Sequence, residues 1–154
     1  MQPVLLELIK LASVGIIAGL FASFMANRDF RHKKWWELRV AAYQNAIEAL
    51  SDIVHYYDTH WKTWDSNTLT DEQKQLLNVM ISEARPKIRK LSDTGSFLFS
   101  DEANTALRTF IDFKVGEIYD PDDYYGPLQI EASKCLKELV LLSKKDLRVR
   151  NVWL

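Results

Sequence analysis

The stretch KKWWELRVAAYQNAIEALSDIVHYYDTHWKTW, residues 33–64, decides the fold. It contains no glycine or proline, and its large apolar side chains recur at alternating steps of three and four, the spacing of one face of an α-helix. The residues on that face are Trp36, Val40, Tyr43, Ile47, Leu50, Val54, Tyr57, Trp61 and Trp64. The pattern predicts a long helix with a packing seam of the coiled-coil type. The seam packs either on later helices of the same chain or on a second chain.

Upstream of this helix lies the uncharged stretch LASVGIIAGLFASFMA, residues 11–26. Together with residues 3–10, interrupted only by Glu7 and Lys10, it is just long enough to cross a bilayer core, which needs about 20 residues. A buried helix of a soluble protein and a cleaved signal peptide are the alternatives. In a signal peptide the positive charge precedes the apolar run, whereas here it follows. The sequence therefore favours an uncleaved transmembrane helix.

Small residues line one face of this predicted span. They recur at steps of three and four and include a GxxxG motif: Ala12, Gly15, Gly19, Ala22 and Ala26. Small side chains let two helix backbones approach closely in lipid, where packing rather than hydrophobicity drives association. Glycine and alanine are also simply common in membrane helices. We expect the protein to form a homo-oligomer through this face.

A basic and aromatic cluster follows the span at once: Arg28, Arg31, Lys33, Lys34, Trp35, Trp36 and Arg39. Indole rings settle at the level of lipid headgroups, and cations meet anionic lipid there, so these residues are predicted to form a membrane-interface collar. A nucleic-acid patch could have the same composition, but the adjacent span explains the charge, and no nucleic acid is expected. By the positive-inside rule the N-terminus faces outward and residues 28–154 face the cytoplasm.

The rest of the chain shows further helix signals. Thr70 and Gln73 form a predicted capping box, and Ser100 is a second predicted N-cap. We expect the helix after Ser100 to run over about residues 101–119, where the loop DPDDYYGP ends it, and the last helix to begin at Pro127.

These signals predict an all-α fold. The chain has 154 residues, 47% of them hydrophobic, but only 5 glycines and 4 prolines, too few turn residues for a many-stranded sheet. We expect an anchor over residues 1–27 and a cytoplasmic domain over residues 28–154. The domain is predicted to be a bundle of about four helices, and the anchor helix either continues into it or precedes it.

Motifs for chemistry are sparse in this sequence. Cys135 is the only cysteine, which excludes an intrachain disulfide and a zinc site of several cysteines, and it lies on an apolar helix face. His32, His55 and His60 do not have the spacing of a zinc-binding motif. No nucleotide-binding glycine loop or nucleophile-elbow motif is present. We therefore expect no metal, no cofactor and no enzymatic activity.

The loop DPDDYYGPLQIE, residues 120–131, is the one stretch that resembles an ion site. Its first, third and twelfth residues are acidic, as in an EF-hand loop. Tyr125 stands where the turn glycine of an EF-hand belongs, and Pro127 disrupts the position of the carbonyl ligand. The better interpretation is an acidic turn that caps the following helix.

The segment RHKKWWELRVAAYQNAIEALSDIVHYYD, residues 31–58, contains a Trp-Trp-Glu, an Ala-Tyr and an Ile-Glu-Ala-Leu. It resembles small bacterial membrane proteins of uncharacterised function in which one N-terminal span precedes such a helix. The resemblance implies a single-pass protein of the bacterial inner membrane with a role in antiphage defence, as a membrane-acting effector or its accessory.

Two classes of function stay open. One is an anchored protein that self-associates and acts on the membrane or on a protein partner, including a scaffold for a cytoplasmic partner. The other is a tethered enzyme whose active site no motif announces. Polar groups converging in a cleft would favour the enzyme, whereas a dry core and an exposed aromatic patch would favour binding.

Overall fold

The computed structural model describes the backbone of residues 2–64, 66 and 68–148, and the side chains of residues 25, 28, 30–64, 66, 68–95 and 97–148. Every regular element in this part of the chain is helical. In chain order the elements are α1 (Gln2–Thr63), α2 (Asp71–Thr94), a short 3₁₀ turn (Gly95–Phe97), α3 (Asp101–Asp112) and α4 (Pro121–Asp146). The all-α prediction is confirmed.

The chain divides into two compact units, Met1–Glu37 and Leu38–Leu154. The predicted small-residue face (Ala12, Gly15, Gly19, Ala22 and Ala26) falls in the first unit and lies outside the described side chains. Among the described residues, no helix combines the length and the apolar character needed to cross a membrane.

The second unit is a four-helix bundle around one apolar core, to which every helix contributes. Its core residues are Ala42, Tyr43, Ala46, Ala49, Leu50, Ile53 and Tyr57 of α1, Ala84 and Ile88 of α2, Phe99 of the loop, Ala103 and Leu107 of α3, and Leu128, Ala132, Cys135 and Leu139 of α4. Removing this much apolar surface from water supplies the main driving force for the bundle. Ser92 is the only polar residue that is buried in the described part of the chain.

The buried face of α1 is rotated relative to the predicted seam. Tyr43, Leu50 and Tyr57 are buried within their own chain, Val40, Ile47 and Val54 are half-buried, and Trp36, Trp61 and Trp64 are exposed. The centre of the face passes instead through Ala46 and Ile53, both fully buried. This face includes the buried alanines Ala42, Ala46 and Ala49, and their contribution is missed when only large side chains are followed.

Two predicted helix starts are confirmed by their capping hydrogen bonds. At α2, Gln73 N donates to Thr70 Oγ1 at 3.2 Å, and Thr70 N donates to Gln73 Oε1 at 2.9 Å, which completes the capping box. At α3, Ala103 N donates to Ser100 Oγ at 3.4 Å. Each bond satisfies a helix N–H group that otherwise has no partner.

The predicted end of α3 and the predicted start of α4 are wrong. α3 ends at Asp112, because Phe113 has an extended backbone, and α4 begins at Pro121 rather than at Pro127. Asp120 is the N-cap of α4: Asp123 N donates to Asp120 Oδ1 at 3.0 Å, and Pro121 has no N–H group that needs a partner. The acidic turn therefore caps α4, as the sequence indicated. The helix begins six residues before the predicted start.

Candidate functional site

An aromatic surface covers the junction between the end of α1 and the start of α4. We define it as Tyr56, His60, Trp61 and Trp64 of α1 with Tyr124 and Tyr125 of α4. The ring centroids of Tyr56 and His60 are 4.3 Å apart, and those of His60 and Tyr125 are 5.2 Å apart. The ring centroids of Trp64 and Tyr125 are 6.4 Å apart. Edge-to-face and tilted contacts between aromatic rings add stability beyond that gained from the apolar area they bury.

The two tryptophans of the aromatic surface are its most accessible members. Trp61 is 39% exposed and Trp64 is 52% exposed. Trp61 packs over Gly126, where a Cβ atom would lie 3.6 Å from Trp61 Cε2. The indole rings thus stand at the surface with their position fixed by the helices beneath them.

Electrostatics keep this surface uncharged near neutral pH. Burial lowers the pKa of His60, and the charge of Lys74 lowers it further, so the imidazole is neutral at pH 7. Burial raises the pKa values of Tyr56 and Tyr125. His60 Nδ1 is buried and makes no hydrogen bond within the described part of the chain.

A cleft of about 430 Å³ opens beside the aromatic surface and is lined by all four helices. Its depth is apolar, and its rim carries two arginines of α2. The residues that determine its character are Ile53, Tyr57, Arg85, Arg89, Phe110 and Phe113. None of the described residues that line it is acidic.

Arg85 is held in place at this cleft by Tyr57. Its guanidinium donates a hydrogen bond to the Tyr57 hydroxyl and lies 5.6 Å from the centroid of the Tyr57 ring. Burial raises the pKa of Tyr57, while the charge of Arg85 opposes that shift. The phenol is therefore neutral at physiological pH and serves as a hydrogen-bonding anchor for the cation.

A polar network closes the other end of the bundle. Tyr43 donates a hydrogen bond from its hydroxyl to Asp146 at the end of α4, and Ser100 N lies 3.5 Å from the same hydroxyl. Arg39 Nε donates to the carbonyl oxygen of Leu98 at 2.9 Å. The network ties α1, the loop before α3 and the end of α4 together, which is a structural role.

Most of the predicted collar residues are exposed: Arg28, Arg31, Lys33, Lys34, Trp35 and Trp36. Lys34 Nζ approaches Glu37 Oε2 at 3.9 Å. Arg39 differs, because it is partly buried and bonded to Leu98 within the bundle.

The chemistry of Cys135 and of possible metal ligands can be stated for the described residues. Burial raises the pKa of the Cys135 thiol to about 12, and its Sγ donates to Ala106 O at 3.5 Å, so the thiol is protonated at neutral pH. No cluster of three or more potential metal ligands occurs in the described part of the chain.

Comparison with known proteins identifies no family: no family model, no curated protein and no solved structure matches this chain. The site must therefore be interpreted from its own geometry.

Sequence reasoning found part of this site. It placed Tyr57, Trp61 and Trp64 on one helix face but did not bring them to Tyr124 and Tyr125. The Tyr-Tyr pair was visible in the loop DPDDYYGP, and the missing information was that α4 begins before it. Arg85 and Arg89 lie one helical turn apart. The sequence did not indicate them as site residues, because arginines are common on exposed helix faces.

Proposed function

We propose that this protein is a membrane-anchored helical interaction protein that self-associates and acts as an effector at the bacterial inner membrane, in antiphage defence. It is not an enzyme in this proposal. Residues 1–27 anchor it, and the bundle faces the cytoplasm and presents a binding surface to a protein partner.

The observation that supports binding rather than catalysis is the exposed aromatic surface beside an apolar core. Trp61 and Trp64 are 39% and 52% exposed. Tryptophan and tyrosine are enriched at the energetic centres of protein interfaces. Polar groups in the bundle instead serve structural roles, as in the bond between Tyr43 and Asp146.

The anchoring and self-association parts of the proposal come from sequence. An apolar stretch over residues 3–26, interrupted only by Glu7 and Lys10, is followed by exposed cations and two exposed indoles at Trp35 and Trp36, the composition of a membrane interface. The face containing Gly15 and Gly19 would allow close helix packing in lipid. The resemblance of residues 31–58 to defence-associated membrane proteins supports the defence role.

Induced expression in cells loaded with a membrane-potential dye tests the effector role. We expect depolarisation and growth arrest, on expression alone or on phage challenge. Replacing both exposed tryptophans, Trp61→Ala and Trp64→Ala, should weaken the response without lowering the protein level. Leu141→Ala is the matched control, since Leu141 is 67% exposed on α4, outside the aromatic surface.

An unchanged membrane potential at verified expression, with and without phage, would contradict the effector role. An equal response from the double tryptophan variant and wild type would remove the aromatic surface from the proposal.

A further inference from the structure

We propose that the cleft between the four helices is a binding site for a small amphipathic carboxylate, with the carboxylate held by Arg85 and Arg89 and the apolar body inside the bundle. This inference goes beyond the proposed function and does not depend on it.

The size of the cleft favours a small molecule over a folded partner. Its volume of about 430 Å³ lies in the range of ligand pockets, roughly 300–1,000 Å³. Walls from all four helices surround the apolar depth, where Ile53, Tyr57 and Ile88 are each at most 1% exposed. Phe110, Ile111 and Phe113 are half-buried and form the accessible apolar wall above this floor. A short alkyl chain could lie against them inside the cleft, whereas a flat protein surface could not enter it.

The two arginines at its rim give the cleft a positive charge, which favours an anionic ligand. Arg85 and Arg89 are both exposed at the rim and point from the same face of α2, because they are four residues apart. Within the described part of the chain neither forms an ion pair with a carboxylate. Guanidinium groups bind carboxylates by paired hydrogen bonds, which are stronger than neutral ones.

The arrangement of Arg85 is preorganised for this role. Its bond to the Tyr57 hydroxyl fixes the guanidinium at the rim before a ligand arrives, which reduces the ordering cost of binding. Phe110 and Phe113 provide apolar contact below it. A cationic rim above an apolar depth matches a molecule with a negative head and an apolar body.

The test is isothermal titration calorimetry of octanoate into the full chain held in phosphatidylcholine nanodiscs, with titration into empty nanodiscs subtracted. We expect one saturable site. Arg89→Gln should weaken octanoate binding about tenfold, since one charge-assisted contact is removed. Lys137→Gln, which removes an exposed cation outside the cleft, should leave the affinity unchanged, and neutral octanol should bind at least about tenfold more weakly.

A second variant separates binding from folding. Ile111→Trp fills the cleft from α3 and should abolish saturable binding while the helical circular dichroism stays that of wild type. Heat identical to that of empty nanodiscs, or equal affinity in wild type and Arg89→Gln, would overturn the proposal. Saturable binding of an acidic, leucine-containing peptide but not of octanoate would assign the cleft to a protein partner and overturn it as well.

Discussion

At the scale of single residues, two glycines of the bundle occupy opposite environments. A Cβ atom on Gly95 would lie 2.5 Å from Cδ2 and Cε2 of Phe99, whose ring is only 5% exposed and packs edge-on against Tyr43 at 4.9 Å. A Cβ atom on Gly126 would meet Trp61 at 3.6 Å, an ordinary van der Waals contact. The first site has no room for a methyl group, and the second does.

We predict that Gly95→Ala destabilises the bundle by about 1–3 kcal/mol, because the buried Phe99 ring must shift. Gly126→Ala is expected to change the free energy of unfolding by less than about 1 kcal/mol, because the higher helix propensity of alanine inside α4 is opposed by contact of its Cβ atom with the ring of Pro127. Urea unfolding of the full chain, followed by tryptophan fluorescence, measures both. Changes of the same sign and size in the two variants would contradict the packing described around these glycines.

Cys135 gives a second prediction at this scale. Its thiol is buried and its pKa is raised to about 12, so the thiolate that reacts with alkylating reagents is scarce. At pH 8 iodoacetamide should modify the folded protein at least about a hundredfold more slowly than the urea-unfolded protein. In a Leu141→Cys variant the new exposed thiol provides the control and should react rapidly. Equal rates for folded and unfolded wild type would show that Cys135 is accessible.

At the scale of helices, the prediction from sequence succeeded where side-chain chemistry acts locally. The capping residues Thr70 and Ser100 could be identified because a cap needs only its own neighbours along the chain. The start of α4 could not, because Asp120 and Pro127 both offer helix-start chemistry. The residues between them, Tyr124, Tyr125 and Gly126, pack against α1 and the core only in the folded bundle. Tyr43, Leu50 and Tyr57 of the predicted seam are buried, but the part of the face that runs through Ala46 and Ile53 was missed because alanines carry little hydrophobic signal.

The network of Tyr43 and Asp146 links three elements and should make stability depend on pH. Burial opposes ionisation of Asp146, but hydrogen bonds from Ser100 and Tyr43 and the charge of Arg39 outweigh it and lower the pKa of this carboxyl. Stability from Asp146 is therefore present above its unfolded pKa of about 4 and lost as pH falls through the lower folded pKa. Burial and the bond to Asp146 raise the pKa of Tyr43, so its contribution is lost only as pH rises above about 10.

We predict that Asp146→Asn lowers the free energy of unfolding by about 1 kcal/mol at pH 7, and that the difference from wild type shrinks as the pH falls below about 4. Urea unfolding of both proteins at pH values from about 2 to about 8 measures the difference in their free energies of unfolding on both sides of the Asp146 pKa. Glu102→Gln removes the exposed pair with Lys145 at 3.3 Å and should change stability little. A difference between Asp146→Asn and wild type that does not vary with pH would rule out ionisation of Asp146 as its source.

At the scale of the whole molecule, the helical class and the four-helix bundle followed from periodicity and from the scarcity of glycine and proline. The aromatic surface could not be predicted, because it joins residues 56–64 to residues 124–125 and depends on how α1 and α4 pack. The cleft is still less visible in the sequence, since its arginines and phenylalanines come from helices far apart along the chain. Local patterns thus determine the elements, and tertiary packing determines the candidate sites.

We propose that the protein self-associates in the membrane through its anchor, and crosslinking in native membranes shows whether it does. Wild type and Gly15→Ile/Gly19→Ile are compared at equal expression, with Val14→Ile/Ile16→Val as a control that changes the same span without enlarging the small-residue face. We predict an oligomer ladder in wild type and the control, and its loss in the double glycine variant, because bulky side chains hold the helix backbones apart. No ladder in wild type, or an unchanged ladder in the double glycine variant, would contradict the account.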